Sequence, residues 1–543
     1  MKKNDWLIIL FIIITSLFTL KDLFKPGFYT SHDGPHQVVR LYYFDQVLKE
    51  GQFPPRWAGG LLNGFGYPLF NFSYHLPWVI AEPFVVFGFS IFDSIKLTFL
   101  LGFIVSGIFM YLFQKEMFGR LGAFVGTMIY LYAPYRFSNI FVRAAIGDAT
   151  TFIFAPLLFW SLYQLKKKGM FNWFWISIGA IATFGLLLSH AMVFLFFLIS
   201  FVLYVAFHTL FIQNRLKFVL SSLLIVVLGL GLSSYYFIPS LIERSDTKFS
   251  EIMSSVYFGN TFLSLNKLLY SSWGYGTVDA YEGAMSLQLG LAQWLVVGLV
   301  ILLILISLIR RKLNPESLFF FALFSFTIYL ILPVSLPFWQ IVKNYAFVDF
   351  TWRVLPVSIF SVSVLAGFLI SKIKYKYLFA FLIVALAFYA NRNHLRINQT
   401  LDWSIPFYLK LEKTTNSFDE YTPKWVKKEY LGENKTKVEF SDGRAGIEIL
   451  KNKSNLLEIS LNAPESGSVR VNTIYYPGWK VYVDGREEKI DYSNGLIEFQ
   501  VGEGKKNIVA HLTETPLRLT SDFISLATLV LLFLPFLSIF KKR

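Results

Sequence analysis

The sequence predicts a polytopic α-helical membrane protein that carries a small β-sandwich towards its C-terminal end. Three observations predict it. Apolar runs of bilayer-spanning length recur along a chain that is 55% hydrophobic, 19% aromatic and only 16% charged. Lys and Arg gather in short clusters between those runs, as they do in cytoplasmic loops. Residues 391–516 then give up the long runs for short alternating stretches separated by turn signals. The net charge of +15 therefore reports orientation and not a nucleic-acid partner. With no cysteine in the chain, disulfides, thiolate metal sites and cysteine nucleophiles are excluded.

MKKNDW and the apolar run to Leu20 resemble a signal peptide, but Lys21-Asp22 stands where a small-residue cleavage site belongs. The segment reads as a retained anchor with its N-terminus inside. Further apolar segments lie near 94–113, 121–134, 149–165, 171–188, 191–212, 217–238, 285–309, 317–333, 353–371, 377–390 and 519–540. Basic clusters at 115–120, 166–168, 215–217, 310–312, 372–376 and 541–543 make these alternate consistently, giving about twelve crossings with both termini cytoplasmic. The run 77–92, interrupted by Glu82 and Pro83, breaks that parity and is expected to be re-entrant or interfacial.

In 391–516, a short helical or irregular neck to about 430 leads into SVRVNTIYY, WKVYVDG and LIEFQV. Pro477-Gly478, Asp484-Gly485, Asn494-Gly495 and Glu503-Gly504 separate these stretches, which reads as antiparallel hairpins of a β-sandwich. The expected partition is a transmembrane domain over 1–390, an extracytoplasmic neck and β-sandwich over 391–516, and a final helix with a basic cytoplasmic tail over 517–543. The polar and aromatic clusters all fall on the outer face, so chemistry is expected at the outer leaflet of the cell membrane.

The densest cluster is 30–57, where His32, Asp33, His36, Arg40 and Arg56 stand beside Tyr42, Tyr43 and Trp57. Asp-Gly-Pro before an amphipathic run marks a helix start, which puts Asp33 at its N-terminal end. An Asp there is often only a cap.

DGPHQVVRLYYFDQVLKEGQFPPRW in the first outer loop and YYPGWKVYVDG in the outer domain resemble the bacterial YfhO-type membrane proteins. They also resemble the family labelled 6-pyruvoyl-tetrahydropterin-synthase-related membrane proteins. VRAAIGDA at 142–149, WGYG at 273–276 with MSLQLG at 285–290, and FTWR at 350–353 extend the resemblance over nearly the whole chain. These families look like GT-C superfamily glycosyltransferases, which use a polyprenyl-phosphate-linked sugar and an acidic residue in the first outer loop. By position that residue is Asp33. The resemblance also implies a second catalytic acid, Asp148, here behind Arg143-Ala144-Ala145 and one carbon shorter than the Glu of the family pattern. The pterin-synthase label carries no chemistry, because that enzyme family relies on a zinc site and a cysteine.

Sugar transfer from a lipid phosphate needs a base for the acceptor hydroxyl and positive charge for the departing phosphate. Asp33 supplies the first. Arg40, Arg56, Arg143 and Arg353 are the candidate phosphate binders, since guanidinium groups grip phosphate oxygens bidentately. Their bland reading is snorkelling, or pairing with Asp45, Asp148 and Asp349. Asp33 and His36, three apart, can instead hold a divalent ion, Mg or Mn, with help from a further ligand such as Asp148. His190 is expected to support the substrate site. Trp57, Trp273 and Tyr275 can stack on sugar or isoprene units, with WGYG as a lid, although interfacial aromatic belts explain most such residues. The resulting expectation is a transferase that moves a sugar from a polyprenyl-phosphate donor to a cell-envelope polymer or glycolipid. The rivals are a lipid-linked glycan flippase, disfavoured by the lack of mid-membrane ionisable residues and paired broken helices, and a non-catalytic glycan-assembly protein.

Overall fold

The computed structural model describes residues 3–255, 261–278, 283–343, 348–432, 436–441 and 443–540. Every apolar segment expected to cross is helical. The first is α1 (Lys3–Thr19), and after α2 (Gly34–Lys49) and α3 (Leu76–Val86) comes α4 (Ile91–Leu131). Then follow α5 (Ile146–Lys168), α6 (Trp173–Ser189), α7 (Ala191–Thr209), α8 (Arg215–Ile242), α9 (Leu291–Ile309), α10 (Pro315–Ile331), α11 (Leu355–Lys372), α12 (Lys376–Asn391) and α13 (Pro516–Phe540).

Among the described residues seven helices are long and apolar enough to cross a membrane. The difference from twelve has named sources. α4 counts once although Gly119, at φ 73°, breaks it in two where two segments were expected. α10 is bent by 86° against Pro333–Val342, and α1, α6 and α12 are shorter apolar helices. α3, interrupted by Pro83, is eleven residues long. At 1.5 Å per residue it spans only about 16 Å, half a bilayer core of roughly 30 Å.

α11 lies at the centre and is almost wholly buried. Small residues let it come close to α4: a Cβ on Gly122 would stand 2.7 Å from the Gly367 carbonyl oxygen. Backbones meet directly there, as helices packed by small side chains do. α13 flanks α8, where Gly231 admits Thr528 and Tyr235 N–H donates to Ser525 Oγ.

Two sets of contacts tie the segments between the helices together. Strand β1 (Phe28–Tyr29) pairs with β2 (Thr400–Leu401), joining the segment after α1 to the neck that follows α12. The C-terminal strands β3 (Val438–Phe440), β4 (Gly446–Lys453), β5 (Leu456–Ala463), β6 (Gly467–Ile474), β7 (Trp479–Val483), β8 (Arg486–Glu488), β9 (Leu496–Val501) and β10 (Gly504–Leu512) form two antiparallel sheets, β4-β5-β10-β7-β8 and β3-β6-β9. Asp484 and Gly485 both take positive φ between β7 and β8, as an Asp-Gly hairpin turn requires. The sheet region also docks on the segment between α2 and α3: Ile474 N–H donates to the Phe65 carbonyl, Lys437 Nζ to the Gly64 carbonyl and Lys453 Nζ to the Glu50 carbonyl.

Candidate active site

Asp33 is the N-terminal flanking residue of α2, with Pro35 in the first turn, as the sequence predicts. Its carboxylate does not cap the helix. The side chain is 36% exposed, and Oδ2 lies 3.9 Å from Arg143 Nη2. The backbone explains the encounter: His32 and Asp33 N–H donate to the Val142 and Arg143 carbonyls at 3.1 and 2.8 Å. The segments around Asp33 and Arg143 are thus hydrogen-bonded side by side.

The second loop is shaped by a π-helical turn over Ser138–Arg143, closed by Ala144 in the left-handed conformation at φ 53°. Such turns recur at functional sites. α5 then begins, with Asp148 in its first turn, where the helix N-terminus favours a carboxylate. A Cβ on Gly147 would meet the Ser189 carbonyl oxygen at 2.6 Å, so glycine lets α5 approach the α6–α7 turn that carries His190. Asp148 is buried. It pairs with Arg143 at 2.6 Å and with Arg353 at 3.7 Å, and its Oδ1 lies 3.4 Å from His190 Nε2.

Arg353 enters from a 3₁₀ turn over Thr351–Val354, pairs with Asp349 at 2.8 Å and donates to His190 Nε2 in a short contact. A guanidinium only donates, so Nε2 accepts and the ring is neutral. Burial, partly offset by Asp148 and reinforced by the neighbouring arginines, pushes the His190 ring down to about 3. Burial opposes the charge of Arg143, but Asp148, Tyr135 and Asp33 outweigh it and hold the guanidinium above its usual range. Burial also raises Asp349, against the pull of Arg353. Arg143 further stacks over Trp352 at 4.9 Å.

The other expected residues divide. Tyr275 accepts from His32 Nε2 through its carbonyl at 2.9 Å, and Trp273 stacks on His394. WGYG therefore crosses the loop just before Asp33. Its tightness is real, since a Cβ on Gly274 would overlap the Gly283 carbonyl. Arg40 lies on α2 against Tyr74 and the neck. Arg56 and Trp57 go elsewhere. Arg56 is buried between Asp522 at 2.8 Å and Glu514 at 3.3 Å, and Trp57 packs edge-on to Trp479 of the sheet region, centroids 5.7 Å apart.

The metal expectation is not met by the donor set. His36 Nδ1 faces Glu412 at 2.6 Å, and among the described residues no group of three or more His, Asp or Glu is placed to hold an ion. No step below uses a metal. Sequence reasoning missed the neck residues Glu412, Thr415 and Asn416, which touch α2 at His36 and Arg40. No local motif distinguishes them.

A family model described as dolichyl-phosphate-mannose-protein mannosyltransferase matches residues 73–235, from the segment before α3 to α8. Among solved structures, the chain is similar to the arabinofuranosyltransferase AftD from Mycobacteria. The TM-score is 0.47 and the identity 11%, over 73% of this chain and 27% of that chain. It is also similar to the Archaeoglobus fulgidus oligosaccharyltransferase tethered with an acceptor peptide. There the TM-score is 0.41 and the identity 11%, over 73% of this chain and 55% of that one. No curated protein matches.

Proposed function

We propose that this chain is a GT-C membrane glycosyltransferase of YfhO type, moving a sugar from a polyprenyl-phosphate donor to an envelope glycan or glycolipid at the outer leaflet. The observation that carries this reading is the Asp33 carboxylate, accessible and not used as a cap, facing the Arg143 cation. The mannosyltransferase family match over 73–235 supports it. In this reading the chain crosses the membrane twelve times, with both termini cytoplasmic and the two C-terminal sheets forming an extracytoplasmic sandwich.

Asp33 accepts the proton of the acceptor hydroxyl as its oxygen attacks the anomeric carbon. The bond from that carbon to the phosphate oxygen breaks, and the lipid phosphate leaves with the electron pair. Arginine side chains at the outer face stabilise the charge that it gains. Asp148 is better suited to anchoring than to catalysis: buried and gripped by Arg143 and Arg353, it is a poor proton acceptor and instead fixes both guanidinium groups. Sugar transfer by the purified chain from a polyprenyl-phosphate sugar tests the reading. Absence of transfer by the wild type, or full activity in a folded Asp33→Asn variant, overturns it.

A further inference from the structure

We propose that the neck loop over residues 412–416 belongs to the donor site, where it holds Arg40 as the cation that grips the lipid phosphate. This rests on the glycosyltransferase reading above. The four candidate arginines are separated by their partners. Arg56 is matched by Asp522 and Glu514, Arg143 by Asp148, and Arg353 by Asp349. A phosphate that recruited any of these would first have to displace a carboxylate.

Arg40 differs. Its Nε donates to Thr415 Oγ1 at 3.1 Å, its Nη2 to the Thr415 carbonyl at 2.6 Å and to Asn416 Oδ1 at 3.0 Å, and its Nη1 to the Tyr74 hydroxyl at 3.5 Å. Among the described residues no carboxylate stands within 4.0 Å of it. Glu420 interacts with it from farther away. Neutral acceptors orient a guanidinium and leave its charge uncompensated, which suits it to a dianionic or monoanionic phosphate.

Two further observations point the same way. Thr415 adopts φ 62°, a conformation rare for a β-branched residue and costly unless the surroundings impose it. In that conformation both its carbonyl and its hydroxyl meet the guanidinium. Arg40 also follows Asp33 by two helical turns on one face of α2, about 10 Å along the axis. A separate contact, His36 Nδ1 to Glu412, fastens the same loop to the helix between them.

Asn416→Asp separates a positioning role from a merely structural one. It puts a carboxylate where Oδ1 already meets Arg40, and the Tyr67 hydroxyl, which accepts from Asn416 Nδ2 at 3.3 Å, can turn to donate. The fold is retained, but the guanidinium is neutralised. Full-length protein in lipid nanodiscs is titrated with undecaprenyl phosphate, and with inorganic phosphate as the soluble source of the same group. We expect Asn416→Asp to weaken undecaprenyl phosphate binding and raise donor KM about tenfold or more, with acceptor KM unchanged, and Asn416→Ala to do less. Inorganic phosphate is expected to compete in the wild type and to lose that effect in Asn416→Asp. Unchanged lipid binding by Asn416→Asp, when the wild type binds, overturns this inference alone. Wild-type protein that binds neither ligand overturns the donor reading as well, and one that binds inorganic phosphate but not the lipid reassigns the site to a soluble substrate.

Discussion

Asp33 Oδ2 and Arg143 Nη2 stand 3.9 Å apart, although they are far apart in the chain, because the backbones of their loops are hydrogen-bonded to each other. The carboxylate is thus placed by the loop pair and not by the helix that it precedes. Asparagine keeps the shape but cannot take a proton at neutral pH. Asp33→Asn should therefore lower turnover by ~10² to 10⁴-fold while shifting stability by less than about 1 kcal/mol, since no cap is lost. Initial rates of sugar transfer and a detergent melting curve on the same preparation check both halves.

A buried ionic cluster joins the membrane body to the sheet region. Arg518 pairs with Glu243 at 2.8 Å, and Glu243 also accepts from Asn71 and from the Tyr476 hydroxyl. Removing one member strands the other, so Arg518→Ala should cost about 3–5 kcal/mol. Arg518→Met combined with Glu243→Gln should recover part of it, because the amide oxygen still accepts from Asn71 and Tyr476. Thermal unfolding of the two variants distinguishes them; equal losses would show that the charge itself is not the cause.

Stability should fall on acidification. His75 donates from Nε2 to the Phe70 carbonyl at 2.6 Å and faces the Tyr235 hydroxyl through Nδ1. Burial, opposed by that carbonyl and aided by Arg56, lowers the ring to about 3. His190 is lowered similarly. Below the unfolded value of about 6.5 the unfolded chain binds protons that the folded one refuses. The stabilising effect is complete above that pH and is lost as pH falls towards 3, at up to about 1.4 kcal/mol per pH unit for each ring. Melting temperature should drop between pH 7.5 and 5.5, and His75→Gln should flatten the slope; a flat wild-type profile would contradict this.

The cysteine-free chain makes topology directly testable. Lys167, Ser272 and Ser493 are all exposed. Single cysteines there should label from the cytoplasm at 167 and only from outside at 272 and 493. Cytoplasmic labelling at 272 would invert the membrane orientation and remove Asp33 from the outer face.

The sequence by itself determined the helical segments, the Asp484-Gly485 hairpin and the helix start at Asp33, whereas Pro477-Gly478 and Glu503-Gly504, read as hairpin turns, join strands of different sheets. Apolar period, turn chemistry and cap position are local properties, written within one or two turns of chain. Only the tertiary structure decided which charges meet. Arg56 and Arg40 look alike as arginines of one loop and helix, yet Arg56 closes on Glu514 and Asp522, 458 and 466 residues away, and Arg40 on neutral oxygens of the neck. Trp479, at the start of β7, packs on Trp57, far from it in the chain. Such partners are selected when distant segments pack and desolvate one another, a choice that depends on the whole fold and leaves no pattern in the residues nearby.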